Sequence, residues 1–327
     1  MDVVEIHPRV FKINAPISQG VPPRKGGVVG LYLIKGERTA LIDTGVYDSP
    51  ETAIAPALAG QGLTLKDIDF VLNTHGHADH AGGNALFQSL SQAQFFISKR
   101  ELPVSLGGDL ASRARFFEPL KEIFGSQQFG AKLEDNALNS DERFRVDHLI
   151  GDKDTIDLGG STILKVVALP GHTPGSVGYF WEREGILFAG DAIAGCGSRV
   201  GGLPIIFDPD AYGGSAAKLL EMPLRMLCCA HAYASFTLPG NQIRSGGDIK
   251  TFVQESAYVN EQIKLAATSA IQAEPNATLK RQGERLLEEL PAEFMVSPLS
   301  EITATLWAAM GIFSFIWRAR NLAKKNE

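Results

Sequence analysis

Cysteine is scarce in this chain: three among 327 residues, at 196, 228 and 229, the last two adjacent. They supply no disulfide framework, and the expectation is a reducing, cytoplasmic setting. Long basic runs are also missing. The net charge is −6 and the pI about 5.7, which argues against nucleic acid as a partner, because phosphate backbones are gripped by clustered Lys and Arg. Met1 to Ile6 lacks the basic start and apolar core of a secretory signal. Nor is there an unbroken apolar stretch of about 20 residues, the length a membrane helix needs.

Histidine is nearly as rare as cysteine, yet it is concentrated. Of seven histidines, three fall within the hexapeptide His75-Gly76-His77-Ala78-Asp79-His80. The apolar segment Ile68 to Asn73 precedes them and has the length and composition of a strand. A strand that stops at a knot of imidazoles and a carboxylate presents them at a sheet edge, where a loop can wrap a cation. Neutral imidazole and carboxylate suit zinc and similar divalent ions, with ligand bonds of about 2.0–2.2 Å. Three later apolar runs end in the same way. Ile163 to Leu169 leads to Gly171-His172-Thr173-Pro174-Gly175-Ser176, Ile186 to Ala189 leads to Gly190-Asp191, and Met226 to Ala230 leads to His231.

These four motifs in this order resemble the metallo-β-lactamase superfamily over roughly residues 10 to 240. The resemblance implies an α/β αββα sandwich with one or two metals at one edge. On that pattern His75, His77 and His172 hold one ion, Asp79, His80 and His231 hold a second, and Asp191 bridges them. Asp43, at the end of Ala40-Leu41-Ile42, falls where the family has a carboxylate beneath the metals; a plain strand cap is the other reading. Two divalent ions are implied, with zinc foremost and iron or manganese also accepted by mixed His and carboxylate ligands.

Along the chain, Val10 to Ile13 and Val28 to Ile34 read as strands, and Ser49-Pro50 as a helix start. Asn84 to Leu90 reads as a helix and Phe95 to Ile97 as a strand. Residues 99–147 then break the rhythm and read as short helices overhanging the metal site. Asp208-Pro209 opens another helix. The expected division is therefore a sandwich domain over 1–245, carrying the 99–147 insertion, and a helical extension over 246–327 that covers the cleft. Within the extension Asp248 is placed to cap one helix, and Ile302 to Trp317 is a run of sixteen uncharged residues. We read that run as a packed helix or pocket wall, with a homodimer contact and a membrane contact as the weaker alternatives.

The implied chemistry is hydrolysis. A hydroxide shared by two cations attacks a carbonyl or phosphoryl centre, Asp79 orients it or accepts a proton, and Asp191 holds the pair of ions. Ala194-Gly195-Cys196-Gly197-Ser198-Arg199 and Cys229-Ala230-His231-Ala232-Tyr233 resemble stretches of glyoxalase II-type thioesterases. That resemblance places Arg199 and Tyr233 on the substrate and favours a thioester, ester or lactone of a small acyl group. The alternatives are a phosphodiesterase acting on small phosphodiesters and, in another class, a metal-binding regulatory or partner-binding protein.

Overall fold

The computed structural model describes residues 3–17, 27–101, 120–127, 144–197, 203–296, 299 and 306–325. Among them, two mixed sheets stack face to face with helices on both outer sides. The first sheet runs in chain order: β1 (Val3–His7), β2 (Val10–Pro16), β3 (Val28–Lys35), β4 (Thr39–Ile42), β5 (Phe70–Leu72), β6 (Gln94–Ser98) and β7 (His148–Ile150). It is antiparallel as far as β4 and parallel from β4 to β7. The second sheet is ordered β13-β12-β11-β10-β9-β8, built from β8 (Thr155–Asp157), β9 (Ile163–Ala168), β10 (Val177–Trp181), β11 (Ile186–Gly190), β12 (Met226–Cys229) and β13 (Ile243–Ser245). Only β11 and β12 run parallel there.

Strand periodicity explains the layers. In β3, Tyr32 and Ile34 face the second sheet, while Val29, Leu31 and Leu33 face the outer helices. In β11 the split repeats, with Ile186 and Phe188 inward and Leu187 and Ala189 outward. Both faces of each central strand are therefore covered, which is why β10 and β11 read as continuous apolar runs.

Outside the first sheet lie α1 (Ala55–Ala59) and α3 (Asn84–Leu90), and between them in the chain the short α2 (Ala78–Ala81) carries Asp79 and His80. Ser49 differs from expectation. It sits in helical conformation, and its hydroxyl accepts from Val46 N–H at 3.0 Å instead of capping the π-type turn Pro50–Ile54. Three short strands, β1, β7 and β13, lie outside the sequence-based reading because none has a strong apolar alternation.

The second sheet's outer face is covered by α4 (Lys121–Phe124), α5 (Pro209–Glu221), α6 (Gly247–Ala273), α7 (Leu279–Glu289) and α8 (Leu306–Lys325). Asp208 caps α5 as expected, accepting from Asp210 N–H and Ala211 N–H. Asp248 does not cap α6; Gly246 stands at the cap, and Asp248 lies in the first turn. The buried residues Ala309, Met310, Ile312, Phe313, Phe315 and Ile316 of α8 belong to the same core as Leu187 and Leu227 of the sheet. From Ala309 to Ile316 the apolar run is thus a packed helix, and among the described residues no helix is long and apolar enough to cross a membrane. Of the 99–147 insertion, residues 102–119 and 128–143 lie outside the described residues. Its α4 docks on the extension: Glu122 accepts from Leu279 N–H at 2.5 Å and pairs with Arg320 at 3.4 Å.

Candidate metal centre

Bonds between the sheets aim the strand ends at one another. Tyr179 of β10 donates to the Asn73 carbonyl at 2.7 Å, and Val177 N–H donates to the Thr74 carbonyl at 2.9 Å, just before the histidine loop. Gly30 N–H of β3 donates to the Ala230 carbonyl at 2.7 Å, just before His231. Gly190 adopts φ +53°, and a Cβ there would lie 2.5 Å from Thr74 Oγ1, so the turn that delivers Asp191 needs glycine.

The seven predicted ligands converge. Three groups have ligand atoms within 4.8 Å of one another: His75, His77 and His172; His75, His80 and Asp191; and Asp79, His80 and His231. His77 Nδ1 lies 3.0 Å from His172 Nε2. Asp191 Oδ2 lies 3.4 Å from both His80 Nε2 and His231 Nε2, and 3.7 Å from His172 Nε2, so it is common to both sides. Asp79 Oδ2 lies 3.1 Å from His231 Nε2.

Several of these rings are oriented by a bond to the other nitrogen. His80 Nδ1–H donates to Asp43 Oδ2 at 2.8 Å, His172 Nδ1–H to the Ile205 carbonyl at 2.7 Å, and His231 Nδ1–H to the Val28 carbonyl at 3.2 Å. Each leaves Nε2 facing the centre, the nitrogen through which a metal would be held. Asp43 also accepts from Thr74 N–H and Thr74 Oγ1, both at 2.8 Å. It therefore does more than cap a strand.

Buried donors without partners test whether a cation fits. His75 Nε2 and Asp191 Oδ1 are buried and have no hydrogen-bond partner, a costly arrangement unless something else satisfies them. With His80, whose ligand atom lies within 4.8 Å of theirs, they bring two imidazoles and a carboxylate to one space, a divalent-metal donor set. The residues fit the group.

The electrostatics divide the site in two. Burial, followed by the neighbouring imidazoles, holds His75 and His77 well below the ordinary histidine range, and burial lowers His172 as well. These three are neutral, the form that ligates. For His80 and His231 burial opposes the charge, but the carboxylates, Asp191 foremost, outweigh it; His80 is raised well above its usual value and His231 is raised to about 10. Asp79 and Asp191 are held below the usual carboxylate range, burial opposing and His80 and His231 prevailing.

The remaining predicted residues fall in different places. Tyr233 is buried beside His231, ring centroids 5.6 Å apart. Arg199 lies outside the described residues. Sequence reasoning missed the carbonyls of Val28 and Ile205, which no residue type signals, and Glu101, which follows Lys99 and Arg100 and reads as surface charge. Glu101 is instead fully buried against Gly76 and Thr173.

The model of the metallo-β-lactamase superfamily matches residues 25–231. The chain belongs to that superfamily. The hydroxyacylglutathione hydrolases of Brucella ovis and Brucella abortus are each 28% identical to it over 258 residues, covering 76% of this chain and 80% of theirs. Among solved structures, a metallo-β-lactamase family protein from Thermus thermophilus superposes with a TM-score of 0.66 at 19% identity, covering 98% of this chain and 95% of that one. A subclass B3 metallo-β-lactamase of Bradyrhizobium japonicum reaches 0.56 at 23%, covering 83% and 96%. These two likenesses establish the fold. As a metallo-β-lactamase superfamily hydrolase, the chain carries a buried His/Asp metal-binding cluster typical of a dinuclear site.

Proposed function

We propose that this metal-dependent hydrolase cleaves a thioester of a small acyl group, with two zinc ions as its cofactors. The observation that carries the reading is the two-sided donor cluster with Asp191 common to both sides, taken with the similarity to hydroxyacylglutathione hydrolases over most of both chains. His75, His77 and His172 would hold one ion, Asp79, His80 and His231 the second, and Asp191 both. When bound, the pair supplies Lewis acidity at the substrate carbonyl and lowers the pKa of water.

The chain's own groups do the rest. Asp79 is the more open of the two carboxylates, with 27% of its side chain exposed against 6% for Asp191. It is placed to orient the attacking water from the solvent side. Tyr233, buried next to His231, offers a hydroxyl to the oxygen side of the substrate, and Arg199 offers charge to a carboxylate on it. Thiol nucleophiles are disfavoured: burial pushes Cys196 up to about 11 and Cys229 up to about 12, far from the thiolate form at neutral pH. Ile205 and Phe207, beside His172 and His77, give an apolar wall for the acyl group. The extension backs this wall: α8 passes close to Leu203, and α6 lies behind Gly195, whose N–H donates to Ser256 Oγ at 3.1 Å.

The deciding experiment is a panel assay of zinc-loaded protein on an S-acyl glutathione, a simpler S-acyl thiol, a lactone and bis(4-nitrophenyl) phosphate. Thioester turnover should exceed the others by at least about tenfold, some 1.4 kcal/mol of transition-state preference. A phosphodiester preference of that size would replace the proposal with phosphodiester hydrolysis. Retention of both thioesters but not the glutathione advantage would leave the reaction and remove glutathione as the carrier.

A further inference from the structure

Glu101 lies just past the end of β6, with none of its surface exposed. A buried carboxylate is tolerated only where its oxygens are hydrogen-bonded. Oε1 accepts from Gly76 N–H at 2.9 Å, and Oε2 accepts from Thr173 Oγ1 at 2.9 Å. Gly76 stands between His75 and His77, and Thr173 directly follows His172. One side chain thus joins the loop after β5 to the loop after β9, which come from different sheets.

The fit is close on the second loop. A Cβ at Gly175 would lie 2.4 Å from both Glu101 N and Glu101 Oε2, so glycine there is required by the approach of this residue. Thr173 is itself held, its Oγ1 being 2.7 Å from Ser176 Oγ. The Asp79, His80 and His231 side has a different tie, through Asp43.

We infer that Glu101 is the positioning residue of the three-imidazole side of the site: it sets the spacing between the His75–His77 loop and the His172 loop, and its carboxylate adds attraction for a cation there. The inference rests on the proposal that His75, His77 and His172 hold one of two ions. Groups that orient metal ligands typically change affinity by about 10–100-fold. Here the effect should be confined to one of two ions, because the loops that Glu101 joins carry that trio.

The test is chelator competition on the full-length protein loaded with zinc or cobalt, following release of each ion, with His172→Ala used to mark which step belongs to the trio. Glu101→Gln is isosteric, but its amide must face at least one of the donors that now meet the carboxylate. It should weaken the marked step by about 10–100-fold and leave the other within about threefold. The cobalt absorption band of the marked site should shift in the same variant. Thr173→Val removes one clasp bond and leaves the charge, so it should weaken the same step by a smaller factor; if Glu101→Gln fails to fold, this variant alone must do so. Equal weakening of both steps, or a lower unfolding midpoint of the metal-free protein with unchanged metal affinities, overturns the inference and leaves Glu101 as packing. Wild-type protein that binds only one ion, or none, overturns instead the two-ion reading beneath it.

Discussion

Asp43 Oδ2 accepts from His80 Nδ1–H at 2.8 Å while Asp43 itself stands at φ +60°. A buried residue in the left-handed region, bonded to a metal-ligand imidazole, is backbone strain held in place by its surroundings. Asn tolerates that conformation far better than Ala does. Asp43→Asn should therefore keep the fold and weaken metal binding by about 10–100-fold. Asp43→Ala should in addition destabilise the metal-free protein by about 2–4 kcal/mol, from strain and the orphaned Thr74 and His80 donors. Denaturant titration beside metal competition separates the two effects, and identical behaviour of the variants would count against the strain argument.

Asp191 is common to both sides of the cluster. Protein purified without chelator should carry close to two equivalents of metal per chain, measured by elemental analysis. Asp191→Ala should lower turnover by at least about a thousandfold, some 4 kcal/mol, with far-ultraviolet dichroism unchanged. Near-native turnover in that variant would remove Asp191 from the mechanism.

Metal uptake should release protons from one side only. His80 is raised well above its usual value and His231 to about 10, so both carry a proton at pH 7 in the metal-free protein. His75, His77 and His172 are lowered and already neutral. A cation on the Asp79, His80 and His231 side must displace protons, and its affinity should rise with pH through the neutral range. The trio should show little pH dependence there, since burial lowers all three of its histidines below the ordinary range. Calorimetry in buffers of different ionisation enthalpy counts the protons. Release of none at pH 7, or equal release in both steps, contradicts the asymmetry.

Phe313 of α8 is fully buried, and its ring rests where a Cβ on Gly283 of α7 would come within 2.7 Å. Phe313→Ala should cost about 3–5 kcal/mol, read as a lower unfolding midpoint, while the metal ligands stay in place. Deleting residues 297–327 should go further, because it strips a whole helix from the second sheet's core. A truncated chain that is soluble, with unchanged kinetics and stability, would show that the helix is dispensable.

Much of the metal site was legible in the chain because its ligands cluster at the ends of apolar runs. Three histidines in one hexapeptide, and His172, Asp191 and His231 each closing a strand-like stretch, mark a sheet edge before any coordinate is known. The order of these motifs implied the sandwich as well, through their resemblance to the metallo-β-lactamase superfamily. What the sequence left open depends on contacts between distant segments. The Val28 and Ile205 carbonyls that orient His231 and His172 belong to the backbone, which any residue type supplies. Glu101 carries no local signal, because a carboxylate after two basic residues is usually solvated, and only the meeting of the loops from two sheets encloses it. The run from Ile302 to Trp317 was equally ambiguous, because an uncharged helix is buried by whatever apolar surface lies nearest. For Ala309 to Ile316 the second sheet's outer face and α6 supplied that surface, and only the tertiary fold brings them to it.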